Sequence, residues 1–173
     1  AMPTCLVVGL VLPPDTEDEL IRHYAFGETD LSLIRQRRGD ANRLGVAVQL
    51  CLLRFPGQGL LPDASMPMSL LQWIGRQLRV DPSCWPQYAE REETRREHLL
   101  ELRAYLGVEP FGLAHYRQAV HATTELALQT DKGIVLAVSV LDTLRHRHII
   151  IPALDVIERV CAEAITRANR RIY

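Results

Sequence analysis

From Leu44 to Leu53 every position is apolar except Gly45 and Gln49, so the chain carries a helix that is greasy around nearly its whole circumference. Such a helix belongs inside a bundle, because a surface helix keeps one polar face. Val135, Leu136, Val138, Val140, Leu141 and Leu144 make a second helix of the same kind, and these two are expected to carry the core. The punctuation around them is helical. Asp15 or Thr16 precedes a segment running to Phe26, Thr29 or Asp30 one running to Arg38, and Asp40 the buried one, which stops before Phe55-Pro56-Gly57. Residues 56–67, rich in proline and glycine, form the one long loop. Short helices follow over 68–79 and 82–90, the second started by Asp81-Pro82. A helix over 91–106 stops at Gly107, another covers 113–129, and Thr130 or Asp131 caps one ending near His146. Pro152 opens a last amphipathic helix, 153–172. Only Leu6 to Leu12 has the makings of a strand. The pattern predicts an all-α chain, a multi-helix bundle with helix-turn-helix-like pairs.

At 173 residues and 47% hydrophobic content, residues 13–173 are expected to form a single helical domain behind an apolar segment, 1–12. Ala1 ahead of Met2 reads as a residue left by expression. Cys5, Cys51, Cys84 and Cys161 are far apart and lack a CxxC pair, which fits a reducing cytoplasm better than a disulfide framework. No apolar run is long enough to span a bilayer. The net charge of -1 is unlike that of a nucleic-acid binder, but the charges are segregated. Residues 1–34 hold six acids and one base, leaving the rest at +4, and 19 of the 20 bases are arginine. Arginine suits bidentate contact with phosphate or guanine, and a GC-rich coding sequence produces the same bias.

Three groups of cations are candidates for an anionic partner. Arg35, Arg37, Arg38 and Arg43 surround Gly39-Asp40-Ala41-Asn42 at a helix start, where free N–H groups and guanidinium groups together make a phosphate seat. The competing reading pairs Arg37 and Arg38 with acids of the first helix such as Glu19. Arg91, Thr94, Arg95, Arg96 and His98 lie on the first half of a helix whose second half turns apolar with Leu99, Leu102 and Leu106. That is the layout of a recognition helix, with 85–90 as its partner, and equally that of a solvated helix laced by pairs such as Glu92–Arg96. Lys132 stands in a first helical turn, which the helix dipole disfavours unless an anion binds there, and Arg145 and Arg147 stand near a helix end, which the dipole favours without any ligand. His146 and His148 point to different sides, no metal-ligand spacing occurs, and no nucleophile or phosphate-loop motif stands out, so neither metal, cofactor nor catalysis is expected.

RQRRGDANRLGVAVQLCLLRFPG at 35–57, DELIRHYAF at 18–26, TRREHLLELRAYLG at 94–107, QTDKG at 129–133 and the closing IPALDVIERVCAEAITRANRRIY resemble, in the same order, the N-terminal region of Tn-three family transposases. These are the large enzymes of class II replicative transposons. The resemblance implies a helical module that binds double-stranded DNA at terminal inverted repeats, with the catalytic acidic triad, and further domains, beyond the last helix. A helical protein–protein interaction or dimerisation module, or a truncated inhibitory copy, is the alternative. Residues 2–12 depart from the family, which usually has a polar-studded helix there. Their apolar side chains are expected either to fill the groove of that helix or to meet a second copy, and a homodimer through this segment is the favoured outcome.

Overall fold

A computed structural model describes residues 8–62 and 65–173 and is all-α: among these residues there are nine α-helices, one short 3₁₀ turn and no strand. The chain divides into two compact units, one of 13–107 and one of 108–173 with the described N-terminal residues 8–12. This division falls inside the span that the sequence alone predicts as one body.

The first unit holds α1 (Glu17–His23), α2 (Glu28–Arg35), α3 (Asp40–Arg54), α4 (Met68–Leu78), α5 (Trp85–Ala89) and α6 (Glu92–Leu106). Eleven residues of α3 are buried, Gln49 among them, and α2, α4, α5 and α6 all pack against it. The ends differ from the sequence reading for identifiable reasons. Helix α1 stops at His23 rather than Phe26 because Tyr24 turns inward: its hydroxyl donates to the Phe55 carbonyl at 2.7 Å, and its own carbonyl accepts from Trp73 Nε1 at 3.1 Å and Gln77 Nε2 at 2.8 Å. Helix α2 starts on Gly27, and Asp30, at the third helical position rather than the N-cap, accepts from the Gly27 N–H at 3.2 Å while burying its carboxylate against Arg54. It ends at Arg35 rather than Arg38, since Gly39 takes φ 84°, a left-handed turn that glycine adopts without Cβ strain. Gly107, φ 67°, stops α6 as predicted.

The second unit is a three-helix arrangement of α7 (Leu113–Ala127), α8 (Gly133–His146) and α9 (Leu154–Ile172), with α9 lying along α7 and α8 touching both. Its core joins Val120, Leu136, Val140, Leu141, Leu144, Ile157 and Val160. Glu109 and Ile149 form an isolated parallel bridge, with the Glu109 N–H donating to His148 O at 2.9 Å and the Ile150 N–H to Glu109 O at 2.8 Å. Helix α8 starts on Lys132 rather than Thr130 or Asp131, the Thr130 hydroxyl accepting from the Lys132 N–H at 3.2 Å. It is also less enclosed than its sequence implies, because Val135 and Val138 stay 41% and 37% exposed.

Of the apolar N-terminal segment, residues 2–7 lie outside the described residues. Val11 is buried in the core of its own unit, Leu10 packs against that core, and the Leu10 carbonyl accepts from Arg145 at 3.0 Å. Leu10 and Val11 thus follow the first of the two expectations, packing on their own chain, with Val11 buried and Leu10 half-buried.

Candidate nucleic-acid interface

Helix α3 begins with a buried face and an exposed basic rim, and this asymmetry sorts the arginines around it. Arg37 is neither free nor paired with Glu19. It grips Glu101 of α6 through both guanidinium NH₂ groups, and its side chain is only 20% exposed. The Arg37 carbonyl accepts from Arg43 Nε at 2.9 Å, which holds Arg43 over the first turn of α3. Arg35 and Arg38 are exposed. Asn42 then joins this rim to the next helix pair, because its Nδ2 donates to the Arg38 carbonyl at 3.0 Å while its Oδ1 accepts from Arg91 at 3.2 Å. One amide thus makes the cations of the α2–α3 turn and of the α5–α6 turn neighbours.

On α6 the sequence candidates split by burial. Arg91 and Arg96 are exposed, and Thr94 and Arg95 are half-buried. Arg96 reaches Glu92 at 2.5 Å one turn back, with the side chains 76% and 65% exposed. An exposed pair of this kind is worth only about 0.3–0.5 kcal/mol, so it does not hold Arg96 away from a phosphate or a base. Arg95 differs, its Nε being buried without a partner.

His98 is a correction. It is 5% exposed and belongs to a buried polar chain, not to a groove-facing edge. Gln49 Nε2 donates to the Tyr88 hydroxyl at 2.6 Å and to the Arg95 carbonyl at 3.1 Å. The hydroxyl, having accepted one bond, has its own proton left for His98 Nδ1 at 2.9 Å, and the two rings stack at 5.6 Å. Burial, and then the Arg37 guanidinium, hold the His98 pKa below the usual histidine range, while burial pushes the Tyr88 hydroxyl up to about 12. Both groups are neutral at pH 7 and serve to fasten α5 and α6 to α3. The periodicity that placed His98 on the stripe with Leu102 is real, but the stripe is already core at that point.

In the second unit Lys132 is exposed, Arg147 donates to Gln118 Oε1 at 2.9 Å, and Arg145 is held by the Leu10 carbonyl and by Asp142 at 3.7 Å. Arg145 therefore secures the N-terminal segment. Cys51 and Cys161 are buried, burial raising both thiols and the second to about 11, so neither is reactive at neutral pH. Among the described residues no group of three or more His, Cys, Asp or Glu is arranged to hold a metal ion, and no helix is long and apolar enough to cross a membrane.

Two residues of this surface escaped sequence reading. Asn42 sat inside the motif but looked like turn chemistry. Arg79, the residue after α4, gave no signal beyond a basic side chain at a helix end.

Residues 9–164 match the family described as Domain of unknown function (DUF4158). The chain belongs to the DUF4158 family. This DUF4158 chain is 61% identical over 165 residues to the transposase for transposon Tn3926 of Escherichia coli, an alignment covering 95% of it and 17% of that protein. It is 56% identical over 164 residues to the transposase for transposon Tn501 of Pseudomonas aeruginosa, with the same 95% and 17%. The transposase for transposon gamma-delta of Escherichia coli strain K12 is 30% identical over 158 residues, 90% of this chain and 16% of that one. These relatives bear out the resemblance to Tn-three family transposases, and the chain spans about a sixth of their length.

Proposed function

We propose that this chain is the DNA-binding module of a transposase, recognising the terminal inverted repeats of its transposon without carrying the catalytic part. The observation that supports it is the joined basic rim: exposed Arg35, Arg38, Arg91 and Arg96, with Arg43 held in place by the Arg37 carbonyl and Asn42 linking the two turns. Helices α5 and α6 act as a helix-turn-helix-like pair whose second member offers Arg96 to base edges, while Arg38 and Arg35 position the duplex through phosphates. Arg37 supports Arg43 and makes no contact with DNA itself. Lys132 and Arg147 of the second unit add phosphate contacts.

The test is affinity for a duplex carrying the terminal repeat and for a scrambled one. Arg96→Ala costs about 1–3 kcal/mol on the repeat and relaxes preference at one position, whereas Arg38→Ala weakens both duplexes alike. Equal, weak binding of both by the unmutated protein would sink the reading. The same reading expects no strand cleavage by this chain: repeat-ended plasmid stays supercoiled with magnesium or manganese, and nicking that survives purification and is abolished by chelator contradicts it.

One observation favours a second reading, a helical interaction module. Val135 and Val138 border an open groove of about 530 Å³ between α7 and α8, lined also by Leu126, Asp142 and Arg147. A salt titration separates the two, since phosphate contacts weaken steeply with salt and an apolar contact does not.

A further inference from the structure

The end of α2, the first turn of α3 and the end of α4 enclose a cleft of about 570 Å³ whose lining includes Arg35, Arg43 and Arg79 over Ile34, Gln77 and Leu78. Among the described residues no acid lines it and none of the three arginines is ion-paired. Gathering like charges is unfavourable unless an anion lies between them. The polar group on the wall does not supply one: Gln77 spends its Oε1 on the Phe26 N–H at 3.0 Å and its Nε2 on the Tyr24 carbonyl. Arg43 is fixed through Nε, which leaves its two NH₂ groups to face a ligand.

Arg79 is the informative member. It sits in the left-handed region, φ 57° and ψ 45°, at the position that closes α4, where glycine is the residue without strain. An arginine kept there at an energetic cost has a use for its side chain.

Resting on the DNA-binding reading above, we propose that Arg79, with Arg35 and Arg43, seats a backbone phosphodiester of the bound duplex, making Arg79 a positioning residue of that interface. The contact is to phosphate, so it carries no base preference and it is salt-dependent.

The experiment uses the full chain and Arg79→Gly. Glycine relieves the left-handed strain, so the melting temperature holds or rises while DNA affinity falls about tenfold on repeat and scrambled duplexes equally, and the log–log salt slope flattens by about one unit. A fall confined to the repeat duplex, or no fall with the melting temperature held, overturns the proposal and leaves the DNA-binding reading standing. Binding of inorganic phosphate lost in Arg79→Gly with DNA affinity unchanged assigns the cleft to a free anion and also overturns it. Failure of the unmutated protein to bind either duplex removes both.

Discussion

Gly45→Ala destabilises this protein by about 3 kcal/mol, enough to populate the unfolded first unit at mild temperature. A Cβ at position 45 falls inside van der Waals contact of the Tyr88 ring, which lies directly against the α3 backbone with no exposed surface. The ring has nowhere to go without cost. Its hydroxyl holds both Gln49 and His98, so displacing it leaves His98 Nδ1 unpaired and Gln49 with the Arg95 carbonyl alone, a cost of about 1–3 kcal/mol on top of the overpacking itself. Urea denaturation measures the loss. Combining Gly45→Ala with Tyr88→Leu tests the cause: the two changes are less than additive, because the second removes what the first collides with. Full additivity would mean that residue 45 acts through something other than Tyr88.

The second large effect concerns the buried carboxylate of Asp30. It accepts from Arg54 at 2.6 and 2.7 Å and from the Tyr105 hydroxyl at 2.6 Å, tying α2 to α3 and α6. The Arg54 contact, more than burial opposes it, draws the Asp30 pKa down to about 2. A free aspartate titrates near 3.9, so the folded state gains stability that is complete above about pH 4 and is lost as the pH falls toward 2. A depression of nearly two units corresponds to at most about 2.5 kcal/mol, and the 35% exposure of Arg54 brings the expected value nearer 2. Asp30→Asn is therefore less stable by about 2 kcal/mol at pH 7 and loses much of its further decline between pH 4 and pH 2. An acid limb as steep in the variant as in the parent would place the titrating group elsewhere.

Much of this architecture is legible along the chain. The span from Leu44 to Leu53 leaves no polar face, and α3 is accordingly buried on all sides. Gly107 and Asp81 act where turn chemistry puts them, Asp81 accepting from the Ser83 N–H at 2.9 Å. What was not legible depends on partners distant in sequence. Arg37 stood in a run of cations that looked uniform, and only the packing of α6 brings Glu101 to it, 64 residues away. Asp30 reads as a helix cap, and nothing local tells that its carboxylate also meets Arg54 and Tyr105. His98 shared its helix face with Arg91 and Arg95, and periodicity alone does not say at which turn that face passes from solvent into core. Arg79 was hidden for a related reason: its significance lies in a backbone angle and in two arginines from other helices.

The pairing of residues 8–12 with 108–173 makes 13–107 an insert, a block entered at Pro13 and left at Gly107. A continuous piece of coding sequence for that block carries the Arg35–Arg43–Arg79 cleft, the Asn42 link and the whole buried polar chain. Its companion is not separable by any single cut, since Leu12 must first be spliced to Val108. Exchange of the insert between related elements thus moves the whole basic rim of the first unit in a single recombination event, whereas a trimming of the N-terminus strikes the other unit, through Val11 and the Leu10–Arg145 bond, before it reaches the first arginine of that rim.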